Sequence, residues 1–105
     1  VAAIRPDHVD HVVNIAREAL SNSLRHARAG HRWIRLCRTD AAVRLVIADD
    51  GVGFQLSATR RQGHGLEHMA ERAKLIGAYL HIVSAPGQGT SITMDLPVTQ
   101  KAADA

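Results

Sequence analysis

The stretch Asp49-Asp50-Gly51-Val52-Gly53 follows the apolar run Val43 to Ala48. A strand that ends in Asp-x-Gly-x-Gly puts a carboxylate at the end of a sheet and then lets the backbone bend. Glycine permits the bend because it has no Cβ. A carboxylate beside bare backbone suits a ligand that offers an N–H donor and must come close, although Asp-Gly also marks ordinary turns. Side chains alternate along a strand. Val43, Leu45 and Ile47 share one face, and Asp49 continues it. Asp50 continues the face of Arg44, Val46 and Ala48. The first face is the more apolar, so Asp49 is expected to look toward a covering layer and Asp50 away from it.

Outward from this stretch the elements alternate in kind. Before it, Asp7 to about Ala29 reads as a helix, with Val9, Val12, Val13, Ala16, Ala19, Leu20, Leu24 and Ala27 at spacings of three and four. Asp7 is the expected N-cap and Gly30 the expected stop. Trp33 to Thr39 and Val43 to Ala48 are strand-like, joined by a short turn at Thr39-Asp40-Ala41. Phe54 to Gln62 has no clear period and is a loop. A second helix spans about Leu66 to Ile76 and closes at Gly77. Tyr79 to Ser84 and Ser91 to Leu96 form a second hairpin around Pro86-Gly87-Gln88-Gly89. This order predicts a two-layer α/β sandwich, a mixed sheet covered on one face by helices. Residues 1–97 are expected to be the domain and 98–105 a tail.

Composition narrows the class. The chain has 105 residues with 46% hydrophobic residues, enough for one domain with one core. Trp33, Phe54 and Tyr79 are the only aromatic residues, too few for base-stacking platforms. Thirteen Lys+Arg against 10 Asp+Glu give a formal charge of +3, and the arginines are scattered. Direct nucleic-acid binding, which needs a basic stripe, is not expected. Cys37 is the only cysteine, so no internal disulfide can form. No apolar run approaches the ~20 residues of a membrane span, and a cytoplasmic domain is expected.

Several constellations could carry chemistry. On the first helix Glu18, Asn22 and His26 are spaced four apart, and this stripe is expected to lie across from the apolar one. A solvated face would look the same, but Asn is a poor residue in mid-helix. A neutral amide oxygen suits Mg²⁺ held mainly by phosphates and water. Glu18 could orient a water or act as a base. Arg25 and His26 could reach phosphate oxygens. The loop end Gln62-Gly63-His64-Gly65-Leu66 runs into the second helix, where unhindered N–H groups favour an anion. Gly87-Gln88-Gly89-Thr90 is a turn whose threonine hydroxyl could add one donor to a phosphate. The histidines have no metal-ligand spacing with cysteine or carboxylate partners, and no Ser-His-Asp arrangement is indicated.

Taken in order, these signals resemble one family closely: the ATP-binding superfamily of gyrase, heat-shock chaperone, histidine kinase and mismatch-repair ATPases. Glu18-x-x-x-Asn22, Asp49-x-Gly51-x-Gly53, Gly63-x-Gly65-Leu66 and Gly87-x-Gly89-Thr90 look like its N box and three glycine boxes. Ile15-Ala16-Arg17-Glu18-Ala19-Leu20-Ser21-Asn22-Ser23-Leu24-Arg25-His26-Ala27 resembles the N box of bacterial sensor kinases of the nitrate-sensor type. Gly65-Leu66-Glu67-His68-Met69-Ala70-Glu71-Arg72-Ala73 and Ser84-Ala85-Pro86-Gly87-Gln88-Gly89-Thr90 do the same. The similarity runs from about Pro6 to Pro97.

The resemblance implies a domain that binds ATP and Mg²⁺ and supplies the γ-phosphate to a histidine on a separate dimerisation domain. A response regulator with a helix-turn-helix output would follow, and the parent kinase could be membrane-anchored. By position, Asp49 would accept a hydrogen bond from the adenine amino group, and Gly51 and Gly53 would let the backbone approach base and sugar. Asn22 would ligate Mg²⁺. Arg25, His26 and Thr90 would face the phosphates. Gly63 and Gly65 would hinge and cap a lid, and with His64 and Leu66 they would contact the nucleotide. Glu18 corresponds to the acid that activates water in the ATPases, whereas a kinase has a histidine as nucleophile. The short segment between the first two glycine boxes fits the nitrate-sensor type. The family also has a strand before its first helix, and the chain is expected to begin after it. Two alternatives stay open: an anti-sigma-factor serine kinase of the same superfamily, and a degenerate nucleotide-binding module.

Overall fold

The computed structural model describes residues 4–54 and 65–98. The first helix, α1, spans Pro6–Asn22 and runs directly into a π-helical turn, Ser23–Ala27. Proline favours the first helical position because its missing N–H has no partner there anyway. The cap is therefore Arg5, two residues earlier than the expected Asp7, and Asp7 instead pairs with the Arg5 side chain at 3.1 Å. The helical stretch also stops sooner than Gly30. Arg28 takes a left-handed conformation (φ 51°) and ends it.

Four strands follow the expected order: β1 (Arg32–Arg38), β2 (Ala42–Asp49), β3 (Tyr79–Ser84) and β4 (Thr90–Pro97). The second helix, α2, is Gly65–Leu75. Thr39 closes the β1–β2 turn, accepting the N–H groups of Ala41 and Ala42 on its hydroxyl at 3.2 and 3.0 Å. The sheet order is β1-β2-β4-β3, so the chain crosses over from β2 through α2 and β3 before β4 returns beside β2. All three pairings are antiparallel. The layered sandwich is as expected, but over the described strands the sheet is antiparallel rather than mixed. Two of its pairings are hairpins, and β4 meets β2 head to tail because the crossover brings the chain back through β3.

Register stacks like residues across all four strands. Ile34, Ile47, Ile92 and Ile82 form one rung, and Leu36, Leu45, Met94 and Leu80 the next. These rungs lie on one face because their spacing along each strand is two. Ile15 from α1, Met69 from α2 and Met94 from β4 are the largest fully buried side chains between the layers. The buried stripe of α1 and its π turn is Val12, Ile15, Ala19, Ser23 and Ala27, with Ile15, absent from the expected apolar series, fully buried in it. Glu18, Asn22 and His26 consequently border this stripe and do not lie across from it. The helices leave β1 uncovered: Ile34 and Leu36 stay half exposed on the helix-side face. Cys37 is exposed on that same edge strand.

Candidate nucleotide-binding cleft

The rung at the end of the sheet breaks the apolar pattern. Arg32, Asp49, Thr90 and Ser84 occupy it in register, immediately beyond the four isoleucines. A cleft of about 280 Å³ opens over this rung between the sheet, α1 with its π turn, and the start of α2. Ile47 and Ile92 floor it, and Ala19, Ser23 and Ala27 line it from the helix. Such a mainly apolar cleft with a few convergent polar groups is the usual form of a small-molecule site.

Asp49 is the buried carboxylate of this cleft, with 8% of its surface exposed. One oxygen accepts the N–H of Gly51 at 2.9 Å, which fixes the side chain against its own turn. The other oxygen has no protein partner among the described residues. Asp50 does different work. It accepts the N–H groups of Gly30 and His31, each at 2.9 Å, and its second oxygen meets His31 Nδ1 at 2.9 Å. The His31 N–H and imidazole hold its carboxyl below the usual carboxylate range. The His31 ring in turn stacks on Trp33, with centroids 6.1 Å apart. Asp50 thus clasps the loop between the π turn and β1, outside the cleft.

The glycine positions have distinct reasons. Gly53 and Gly89 both have positive φ, 66° and 74°, where side chains other than glycine are strained. A Cβ on Gly89 would run into the carbonyl of Asp49, and one on Gly53 into that of Ala85. The backbones of the two glycine turns are therefore packed directly on each other, and Gly87 N–H donates to Val52 O at 2.6 Å. Gly51 packs on Ala27 instead and does not line the cleft.

At the helix side, Arg25 joins two of the expected residues. Its guanidinium donates to Asn22 Oδ1 at 2.9 Å and lies 3.5 Å from Glu18 Oε2. One cation thus already sits against an amide oxygen and a carboxylate, the hard-oxygen donor set that suits Mg²⁺. Gly65, the first residue of α2, lies over this pair; a Cβ there would come 2.6 Å from Glu18 Oε2 and 3.2 Å from Asn22 Nδ2. Ser23 is tied to β1 by Arg32, whose Nε donates to its hydroxyl at 2.9 Å.

Of the residues singled out from sequence, Asn22, His26, Asp49, Gly53, Gly65, Leu66 and Thr90 line the cleft. Glu18 and Arg25 stand at its edge through Asn22 and Gly65. Gly63 and His64 lie outside the described residues. Thr90, expected toward phosphates, is the cross-strand partner of Asp49 and belongs to the same end of the cleft. Sequence reading missed Ile47 and Ile92, although both stand two residues from a polar cleft residue on the same strand face, and it missed Ser84 as an anchor.

Residues 7–100 match the family described as histidine kinase-, DNA gyrase B-, and HSP90-like ATPase. A sensor-like histidine kinase of Chloroflexus aurantiacus is 43% identical over 91 residues, which cover 81% of this chain and 15% of that protein. The sensor protein VraS of Staphylococcus aureus (strain COL) is 40% identical over 92 residues, covering 88% of this chain and 26% of VraS. The chain thus spans about a quarter or less of these relatives. Among solved structures, the histidine kinase domain of the Erythrobacter litoralis EL346 blue-light activated kinase superposes with a TM-score of 0.76 at 21% identity, covering 91% of this chain and 50% of that one. The ATP binding domain of PrrB from Mycobacterium tuberculosis does so at 0.65 and 22%, covering 82% and 65%.

Proposed function

The chain belongs to the histidine kinase-, DNA gyrase B- and HSP90-like ATPase family, and from that premise we propose that it holds Mg-ATP in this cleft and presents the γ-phosphate to a histidine on another domain of a two-component sensor kinase. The named relatives are sensor kinases, which favours this reading over a serine kinase. The wording of the N box supports the nitrate-sensor type, whose output passes to a response regulator.

The observation that carries the proposal is the buried carboxylate of Asp49, which lines the cleft with one oxygen spent on Gly51 and the other without a partner among the described residues. A carboxylate is an acceptor only. It therefore suits the amino group of adenine, and the apolar floor of Ile47 and Ile92 suits the flat face of the base. Thr90, beside Asp49, takes part at the base end. The phosphates then extend toward the π turn, where Arg25 and His26 stand.

Asn22, with Glu18 next to it, would hold Mg²⁺, which neutralises phosphate charge and orients the γ-phosphoryl group when bound. With Asn22 on the metal, the Arg25 guanidinium that now rests on Asn22 would be free to meet phosphate oxygens. Glu18 orients water or the incoming group from beneath Gly65. Phosphoryl transfer is mainly positioning and charge stabilisation, and these side chains supply both. Among the described residues no helix is long and apolar enough to cross a membrane.

Calorimetric titration with ATP, on the parent and on Asp49→Asn, tests the assignment. Loss of a charge-assisted hydrogen bond should cost ~1.5–3 kcal/mol, or roughly 10- to 150-fold in affinity. Equal affinity of the two proteins would remove the adenine assignment.

A further inference from the structure

Ser84 stands outside the cleft lining, yet three elements of the site converge on its hydroxyl. It is the cross-strand partner of Thr90, which is itself the partner of Asp49. Its Oγ accepts the N–H of Phe54 at 2.9 Å and donates to the carbonyl of Gly89 at 3.0 Å. The same atom lies 2.9 Å from Thr90 Oγ1. Phe54 follows the first glycine turn, Gly89 precedes β4, and both Phe54 and Thr90 line the cleft.

A serine hydroxyl has one hydrogen to give and two lone pairs to receive. The Gly89 carbonyl can only accept, so all three contacts are hydrogen bonds together only when the Ser84 hydrogen goes to Gly89. The contact with Thr90 is then a hydrogen bond only if Thr90 is the donor. That arrangement closes the count at Ser84, with one hydrogen given and two accepted. It also leaves Thr90 with nothing but lone pairs for the cleft. The free oxygen of Asp49 is likewise an acceptor only.

Resting on the reading of this cleft as an adenine-nucleotide site, we propose that Ser84 is a positioning residue for base selection. It fixes the polarity of the Thr90 hydroxyl, so that the base end of the cleft offers acceptors alone. Adenine meets such a pair with the two hydrogens of its 6-amino group. Hypoxanthine and guanine put a carbonyl oxygen at that position, and lone pairs would then face lone pairs. A site built around directed polar groups rejects a mismatched base more strongly than apolar shape alone can. A freely rotating threonine would not discriminate in this way, because it could turn its hydrogen toward the 6-oxo group.

The test compares ATP with inosine triphosphate by calorimetry, with Mg²⁺ present, in the parent, Ser84→Ala, Ser84→Thr and Thr90→Val. The parent should bind ATP at least about tenfold more tightly than inosine triphosphate. In Ser84→Ala this ratio should fall by a factor of about three or more, while Ser84→Thr keeps it. Thr90→Val should lower the ratio as well, and adding Ser84→Ala to it should lower it no further, because the two side chains act as one unit. A purely structural role for Ser84 would weaken both nucleotides together and leave the ratio unchanged, which overturns the proposal. If Ser84→Ala does not fold, an unchanged ratio in Thr90→Val overturns it instead. A parent that binds ATP without preference over inosine triphosphate removes this proposal and leaves the nucleotide site standing. A parent that binds neither removes both.

Discussion

Gly51 packs so closely against the backbone of Ala27 that a Cβ on it would overlap the Ala27 carbonyl. The next residue, Val52, donates its N–H to that same carbonyl at 2.7 Å. The turn after β2 is thereby seated on the end of the π turn that carries Arg25 and His26. Gly51→Ala must push these two elements apart. We expect a loss of about 1–3 kcal/mol in urea unfolding, as for other overpacked sites, together with weaker ATP binding in calorimetry. An alanine variant of parental stability would contradict the close seating.

Asp50 is expected to matter for acid stability and not for the base. Its folded carboxyl is held low, chiefly by the His31 backbone N–H and then by the His31 ring. Asp95 is held low too, chiefly by its hydrogen bonds to Arg44 at 2.7 and 3.0 Å. A carboxylate with a lowered folded pKa adds stability that is fully present above its unfolded value of about 4 and is lost as pH falls through the folded value. Chemical unfolding between pH 6 and pH 3 should therefore show a shallower acid loss in Asp50→Ala than in the parent. In calorimetry, Asp50→Asn should leave ATP affinity within a factor of about two, in contrast to Asp49→Asn, because an amide oxygen still accepts the Gly30 and His31 N–H groups.

Asn22→Ala removes the amide oxygen that Arg25 now occupies. The expected result is specific to the metal. ATP affinity measured with excess chelator should change little, whereas the enhancement by Mg²⁺ should disappear. A variant that loses affinity equally with and without Mg²⁺ would place Asn22 on the nucleotide and not on the metal.

Two apolar residues of α1 should behave very differently. Ile15 is fully buried, and Ile15→Ala should cost about 2–5 kcal/mol in thermal or urea unfolding. Val13 is 44% exposed, and Val13→Ala should stay within about 0.5 kcal/mol of the parent. Similar losses in both would mean that the helix is rotated from the phase described above.

That helix phase shows where sequence reading stops. Apolar residues at spacings of three and four on α1 fit more than one face, and Val13 and Leu24 belong to the series yet are half exposed or more. Ile15 completes the buried face only when the sheet lies against it. The strands were more legible. A period of two admits only two faces, so the parity of Val43, Leu45 and Ile47 already separated Asp49 from Asp50, and the structure puts the first in the cleft and the second on the His31 loop. The order of elements and both hairpins could be read for the same reason, since turns and alternation are local properties.

The sequence by itself determined the layered α/β class, the strand faces and the stretches that meet at the site, because each follows from spacing within a few residues. Tertiary structure alone decided which strands are neighbours. The crossover places β4, not β3, beside β2, and so brings Thr90 opposite Asp49, with Ser84 carried behind Thr90 by their own hairpin. Contacts between strands far apart in the chain depend on the summed packing of the core, and no local pattern around Asp49 or Thr90 encodes it.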